Sequence, residues 1–441
     1  MSSNPINVDI PSDDSTKKKP EKVSALKDLM ADINKWRANS RKLGNIDLPM
    51  FFIIIILLVM GIIMMFSASY AWAISEGESG VYYATKQIIF AVVGLIAMFI
   101  ISKIDYHLFQ KKIIAVTIFG ISLLMLLLVM FTPLGAEHGN AKRWLRLGGF
   151  EFQPSEVMKF AIVILFALMI TNNYKRMKDW KKGLLPFFVI LGLVAVILMK
   201  QPHLSCTIII CVIGVAMIYI GGARVKHLMC FGGLGVLGLV SVVAFKIYYE
   251  GFSYFEKRFK SWLDPFSDIK GDTWQTYQSL IAIGSGGFFG MGLGNSRQKF
   301  QYLPESKNDF VFSIVCEELG FVGAVTVIAL FAFFVFRGFY IASKSPDKFG
   351  MLVCIGLTVQ VGLQAFLNIA VVSNTIPNTG ISLPFFSYGG TSLMMLLAQM
   401  GVILNISRHA MLDEDETENI SKASRSRHRG FKKQTLKNRE R

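Results

Sequence analysis

Charged residues are scarce in this chain of 441 amino acids, at 17% of the total, against roughly 25% in an average soluble domain. Cysteine and proline are also rare, with 5 Cys and 13 Pro. So few cysteines exclude a disulfide-rich scaffold, and the composition excludes a disordered chain, a collagen-like fibre and an ordinary cytosolic enzyme. Apolar residues are abundant instead: 53% are hydrophobic, including 36 Phe and 21 Met, and mean hydropathy is +0.48. This composition predicts a polytopic membrane protein.

Ten stretches are apolar and long enough to cross a bilayer, which takes about 20 residues. They cover residues 48–70, 84–102, 113–132, 155–172, 184–200, 204–221, 228–246, 311–336, 349–372 and 388–407. The proline of Gln201-Pro202-His203 separates the fifth stretch from the sixth, because a helix does not easily continue into a proline. We therefore expect an all-α integral membrane protein with ten transmembrane helices.

The net charge of +16 is concentrated in the tails. Nine Lys and Arg residues fall in residues 1–46 and ten in 408–441, and the short loops that would face the cytoplasm are basic too. With both termini in the cytoplasm this is the positive-inside pattern, and it disfavours nucleic-acid binding. The expected domains are a basic tail with an amphipathic helix at 23–43, a membrane domain over 47–407, and a second basic tail drawn to membrane lipids.

Two outer loops carry most of the polarity. Residues 133–154 include Lys142 and Arg143, and residues 247–310 form one long extracellular loop between spans 7 and 8. Loops longer than about 15 residues without regular structure are usually functional. We therefore expect the chemistry at the outer face.

Two pairs of ionisable residues within predicted spans are candidates, since a charge there costs about 2.5–3.5 kcal/mol on insertion scales. Glu156 and Lys159 are three residues apart and share one face of the fourth span. They are either functional or a structural ion pair between spans. Glu317 and Glu318 are adjacent, so they point to different faces of the eighth span, and one of them is expected to pair with a basic group.

Three further runs carry candidate residues. The run Gly284–Gly294 has six glycines but not the G-x-G-x-x-G spacing of a nucleotide loop, so close backbone packing or a lipid-facing half-helix is favoured. Asp309 precedes the eighth span and is either functional or a helix cap. Ser387 and Ser392 begin the tenth span, where small hydroxyl residues allow helix packing or contact with lipid phosphate. The six scattered His residues form no recognised metal motif.

Several of these runs together resemble the FtsW/RodA/SpoVE family, also called SEDS proteins. The similar runs are 140–159, Gly284–Gly294, Leu303–Phe310 with Glu317-Glu318-Leu-Gly, and Leu383–Ser392. They occur in the family's order, and the resemblance covers residues 48–407. Within the family, Gly292–Lys299 followed by Tyr302-Leu-Pro is similar to the FtsW/SpoVE branch.

The resemblance implies ten transmembrane helices in the bacterial cell membrane and peptidoglycan glycosyltransferase activity. Lipid II would be polymerised into glycan strands at the division septum, with a class B penicillin-binding protein as transpeptidase partner, among other divisome proteins. The resemblance does not distinguish a role in vegetative division from a role in sporulation. A lipid II flippase and a non-enzymatic scaffold that recruits the transpeptidase remain alternatives.

The resemblance also implies roles for single residues. The family's essential outer-loop aspartate falls on Asp309, the expected general base of an inverting transfer. The residues expected to bind the substrate or offset its pyrophosphate charge are Lys142, Arg143, Glu156, Lys159, Glu305, Ser387 and Ser392. A divalent cation, Mg²⁺ or Mn²⁺, would offset the same charge. The family's usual Q-P-D-x-G-T run has His203 in place of its aspartate here, which puts the role of that position in doubt.

Overall fold

The computed structural model describes residues 44–138, 141–147, 150–233 and 259–410. The helices described over their full length are α1 (Leu48–Ser75), α2 (Tyr82–Ile101), α3 (Lys112–Phe131), α4 (Pro154–Asn173), α5 (Leu185–Lys200), α6 (Leu204–Ile220), α7 (Trp274–Ser285), α8 (Val311–Ser343), α9 (Lys348–Val372) and α10 (Gly390–Ala410). Short 3₁₀ segments cover Tyr106–Gln110 and Tyr174–Arg176, and a π-helical turn covers Trp180–Leu184. The predicted all-α membrane architecture is confirmed.

Eight helices are long and apolar enough to span a membrane, and α6 is a shorter apolar helix of 17 residues. Nine of the ten predicted spans are therefore helical in the described residues. The remaining predicted span, residues 228–246 and the seventh in chain order, is helical up to residue 233 and lies outside the described residues beyond that point. The count of ten thus stays a prediction. The amphipathic helix at 23–43 and the tail from residue 411 onward also lie outside the described residues.

The first span shows how local sequence and long-range pairing combine. Asp47 caps α1, because its Oδ1 accepts a hydrogen bond from the backbone N–H of Met50 at 2.9 Å, and Pro49 suits the first helical turn. The same carboxylate is fully buried and pairs with Arg337 of α8, with Nη2 2.6 Å from Oδ2. The start of α1 is thereby fixed to α8.

The helices differ in how far they are enclosed. Helices α4, α9 and α10 are mostly buried, whereas α2 and α3 leave most of their apolar side chains exposed. Exposed apolar side chains such as Ile113 on α3 and Val189 on α5 are suited to lipid contact. Polar groups on the enclosed helices must therefore find partners within the protein.

The loop after α3 forms a small antiparallel sheet that was not predicted from the sequence. Its strands β1 (Gly135–His138), β2 (Ala141–Leu147) and β3 (Phe150–Phe152) are ordered β1-β2-β3. Gly135 pairs with Leu145, and Arg146 pairs with Glu151. Strands of three to seven residues carry too little periodicity to be recognised among polar residues.

The glycine-rich run packs its backbone directly against α8, which is one of the two arrangements predicted for it. A Cβ atom at Gly286 would lie 1.9 Å from the carbonyl oxygen of Cys316, and one at Gly290 would lie 2.2 Å from that of Glu318. Helix α8 is broken opposite this contact at Gly320, which has φ 66° and ψ −164°. Only glycine occupies such backbone conformations readily, so the run and the break depend on each other.

Both adjacent glutamates of α8 bind the segment that follows the glycine-rich run. Glu318 pairs with Lys299 at 3.0 Å, which confirms the expected basic partner. Glu317 accepts hydrogen bonds from Ser296 Oγ at 2.5 Å and from the Arg297 backbone N–H at 2.8 Å. The segment from Ser296 to Lys299 therefore contacts both carboxylates of α8.

Candidate functional site

Asp309 lies in the loop directly before α8, whose N-cap position is Phe310 rather than Asp309. The side-chain amide of Asn368 on α9 donates to the backbone carbonyl of Asp309 at 2.7 Å and to that of Ile381 at 2.6 Å. The Asp309 carboxylate lies against Gly380, where a Cβ atom would be 3.1 Å from Oδ2. The partly buried aspartate is thus held between α9 and the loop that joins α9 to α10.

The segment just before α10 fixes the residues that precede this aspartate. The Ser387 hydroxyl donates to the carbonyl of Asn308 at 2.6 Å, and the backbone N–H of Tyr388 donates to the carbonyl of Lys307 at 2.8 Å. Ser387 is largely buried. Its observed contact positions the loop, and its predicted contact with substrate stays a prediction.

Lys159 and Glu156 share one face of α4, as their spacing predicted, and form an ion pair within that helix. The Lys159 side chain is 2% exposed, and its Nζ lies 2.8 Å from Glu156 Oε2. It also donates to Gln364 Oε1 on α9 at 3.0 Å. Gln364 in turn donates through Nε2 to the carbonyl of Ser382 at 3.1 Å. A buried charge on α4 therefore fixes the loop before α10.

Helix α9 connects the ion pair with the aspartate. Gln364 and Asn368 are four residues apart on this helix, so they share a face with an axial separation of about 6 Å. Their amides bind the neighbouring carbonyls of Ser382 and Ile381. Lys159 donates to the side chain of Gln364, and the side chain of Asn368 donates to the backbone carbonyl of Asp309. Lys159 and Asp309 therefore line one continuous wall, formed by α9 and the loop before α10.

Positive charge approaches this wall from the sheet. Arg143 on β2 donates through Nη2 to the backbone carbonyl of Pro202. The adjacent His203 is buried, and its Nε2 lies 3.5 Å from Gln153 Nε2. Burial, followed by the charges of Arg143 and Lys159, lowers the pKa of His203 to about 3. The imidazole is therefore neutral, and it does not supply the negative charge of an aspartate at this position.

The remaining predicted residues lie around this wall. Lys142 is exposed on β2, in register with Glu137 of β1. Glu305 is exposed and accepts a hydrogen bond from Asn308 Nδ2 at 2.6 Å. Ser392 is partly buried in the first turn of α10. Their substrate contacts stay predictions.

The residues that position Asp309 and its loop were not predicted from the sequence. They are Asn368, Gln364 and Gly380. Two amides one turn apart inside an apolar span were a usable signal, since buried polar groups need partners. Gly380 has φ 68°, a backbone conformation that no local sequence pattern predicted.

The carboxylates near Asp309 do not fit a protein-built cage for Mg²⁺ or Mn²⁺. Among the described residues, the group of three or more possible ligands within metal-holding distance lies elsewhere, at Asp105, His107 and His409. Mg²⁺ is commonly held by one or two carboxylates together with substrate phosphates. No step of the chemistry is therefore assigned to an ion held by this chain alone.

Comparisons with known proteins agree with this architecture. The FtsW/RodA/SpoVE family model, described as "Cell cycle protein", matches residues 48–412. Stage V sporulation protein E of Bacillus subtilis is 38% identical over 82% of this chain and 97% of its own length. A probable peptidoglycan glycosyltransferase FtsW of Trichlorobacter lovleyi is 36% identical over 83% of this chain and 94% of its own length.

Solved structures give the same result. A chain of a peptidoglycan synthase complex matches with a TM-score of 0.67 at 26% identity, over 83% of this chain and 98% of that one. The rod shape determining protein RodA of Thermus thermophilus matches with a TM-score of 0.58 at 25% identity, over 82% and 97%. With a family model matching almost the whole membrane domain, the chain belongs to the FtsW/RodA/SpoVE family of multi-pass membrane proteins.

Proposed function

We propose that this protein is a peptidoglycan glycosyltransferase that joins lipid II disaccharide units into glycan strands, with Asp309 as its general base. The placement of Asp309 carries the proposal: a carboxylate in the loop before α8, held by a side-chain amide of α9 and packed against Gly380. Relatives named as probable peptidoglycan glycosyltransferases are 36% and 35% identical to this chain. The neighbour in a peptidoglycan synthase complex supports the same activity.

The chemistry requires a base near a sugar hydroxyl. The 4-hydroxyl of one unit attacks the anomeric carbon of another, the bond to the lipid pyrophosphate breaks, and the hydroxyl proton passes to the base. Base catalysis of this kind contributes typically about 10²–10⁴-fold. A single base and a direct displacement give inversion at the anomeric carbon.

The basic side chains of Lys159 and Arg143 have different proposed roles in this reaction. Lys159 donates to Glu156 and Gln364 in its buried position, so it acts as a positioning residue for the loop that packs on Asp309. Arg143 extends from the sheet to the loop between α5 and α6 and is proposed to offset charge that develops on the pyrophosphate. Lys142, Glu305 and Ser392 are proposed to contact more distant parts of the substrate.

The proposed setting is the division septum, in the bacterial cell membrane. The relatives include both FtsW proteins and a stage V sporulation protein, so either a vegetative or a sporulation septum fits. A class B penicillin-binding protein is the proposed partner, since it would cross-link the strands that this chain polymerises. Other divisome proteins would recruit the pair.

The test is glycan polymerisation from purified lipid II, with the full-length chain and its penicillin-binding partner. Asp309→Asn should abolish strand formation while still binding the partner. Asp268→Asn is the matched control, because Asp268 is an exposed aspartate of the same outer segment, and it should retain wild-type activity. An active Asp309→Asn variant would refute the assigned base. If wild type itself forms no strands, a lipid II translocation assay separates the flippase from the scaffold.

A further inference from the structure

The opposite end of the helix bundle holds a second cluster of polar side chains. Asp105 and His107 follow α2, and His409 lies in the last turn of α10. One possible ligand atom from each residue lies within 4.8 Å of those of the other two. His409 is nineteen residues beyond the start of α10, so roughly 30 Å of helix separates the cluster from the Asp309 loop.

The closest atoms are already near the spacing of a metal site. His107 Nδ1 lies 2.6 Å from Asp105 Oδ1, and His409 Nε2 lies 3.8 Å from the same oxygen. Zinc bonds to nitrogen and carboxylate oxygen are about 2.0–2.2 Å, so ligand atoms around a tetrahedral ion are roughly 3.4 Å apart. Each of these two distances differs from that spacing by less than about 1 Å.

Both imidazoles have a second acceptor on the side away from the centre. His409 Nδ1 lies 3.0 Å from the backbone carbonyl of Asn405, which leaves Nε2 as the ligand atom. His107 Nε2 lies 3.4 Å from Asp347 Oδ2, which leaves Nδ1 as the ligand atom. Histidines that bind metals almost always donate their other N–H to such an acceptor.

The outer acceptor is itself fixed. Asp347 caps α9, because its Oδ1 accepts from the backbone N–H of Gly350 at 2.8 Å. Its Oδ2 also accepts from the Tyr106 hydroxyl. The carboxylate is therefore oriented before any ion binds, as a supporting group should be.

From this geometry we infer that Asp105, His107 and His409 form a binding site for a divalent transition-metal ion of the zinc class, supported by Asp347 and the Asn405 carbonyl. Two imidazoles and one carboxylate suit Zn²⁺ and its neighbours better than Mg²⁺ or Ca²⁺. The side chains of Asp105, His107 and His409 are 30%, 41% and 19% exposed, so an ion can enter from solvent and keep a water ligand.

The bound ion would join the loop between α2 and α3 to the end of α10. These segments are about 300 residues apart in the chain, so the ion would act as a long-range clamp.

The test uses full-length protein in detergent, stripped with EDTA and titrated with Co²⁺ and then Zn²⁺. Wild type should bind one equivalent of Co²⁺, with a tetrahedral absorption spectrum that Zn²⁺ abolishes, and its thermal midpoint should rise. His107→Gln and Asp105→Asn should lower the affinity at least ten-fold. His227→Gln is the control, because His227 packs against Trp180 away from the cluster.

A further variant tests direct contact at position 409. His409→Cys retains a metal ligand, so its Co²⁺ complex should show a thiolate-to-cobalt charge-transfer band that wild type lacks. That band keeps the test decisive if His107→Gln or Asp105→Asn fails to fold. Absence of saturable Co²⁺ binding by wild type would overturn the inference. So would equal binding by wild type and His107→Gln, since the ion would then occupy another site.

Discussion

The pair Lys159 and Glu156 offers the sharpest test of how the outer site is held. Replacing Lys159 by Met keeps the length and apolar stem of the side chain but removes its charge. Glu156 then loses its partner at 2.8 Å, and Gln364 loses a donor at 3.0 Å. Breaking a buried ion pair by removing one partner typically costs about 3–5 kcal/mol, mainly because the other charge remains buried. We expect the free energy of unfolding to fall by that amount.

The double variant Lys159→Met with Glu156→Gln separates charge burial from positioning. It removes both charges, so most of the lost stability should return, since neutral replacements of buried pairs are often close to neutral in stability. Polymerisation should not return, because the Gln364 amide and the Ser382 carbonyl it binds still lack the lysine that anchors them. Comparing the single with the double variant therefore distinguishes the effect of Lys159 on stability from its effect on polymerisation.

The assay is denaturant unfolding in detergent, followed by polymerisation of lipid II at a concentration where each variant is folded. A double-mutant cycle gives the coupling free energy between the two side chains. Two results would refute the reasoning. A Lys159→Met variant as stable as wild type would mean that the pair is not buried as described. A double variant with wild-type polymerisation would confine Lys159 to a structural role outside the site.

Three further predictions follow from the same contacts. Gly380→Ala should reduce polymerisation and cost about 1–2 kcal/mol of stability, measured by unfolding, because a side chain at positive φ is strained and its Cβ would lie 3.1 Å from Asp309 Oδ2. Lys299→Met should cost about 3–5 kcal/mol by leaving Glu318 buried without its partner, whereas an equally stable variant would contradict that pairing. Burial lowers the pKa of His203 to about 3, so the folded state keeps it neutral while the unfolded state takes up a proton below about pH 6.5. Its contribution to stability is therefore lost as pH falls through that range, and thermal midpoints of His203→Gln should fall less than those of wild type between pH 7 and pH 5.

Features that depend on neighbouring residues could be predicted from the sequence. The nine described spans follow from runs of apolar residues, and the Glu156–Lys159 pair follows from its spacing of three. The close packing of the glycine-rich run was one of two arrangements that its composition favoured, because glycines let backbones approach closely. In each case the physical cause lies within a single span or loop segment.

Features that depend on distant residues could not be predicted in this way. The sheet after α3 consists of strands too short to show a period. The contact between Asn368 and the Asp309 carbonyl joins residues 59 apart, and the cluster of His107 and His409 joins segments about 300 apart. Such contacts depend on how the helices pack, and a single sequence carries no direct record of that packing.

The polar groups within spans nevertheless constrain these distant contacts. An unpaired amide in an enclosed helix costs about 1–3 kcal/mol, and there is little water between packed spans to satisfy it. The side-chain NH2 groups of Gln364 and Asn368 avoid that cost by donating to backbone carbonyls of the loop before α10 and of Asp309 itself. Moving this loop would leave both NH2 groups without these acceptors. The same requirement that keeps α9 stable therefore fixes the position of the proposed base, which is what catalysis by a preorganised site requires.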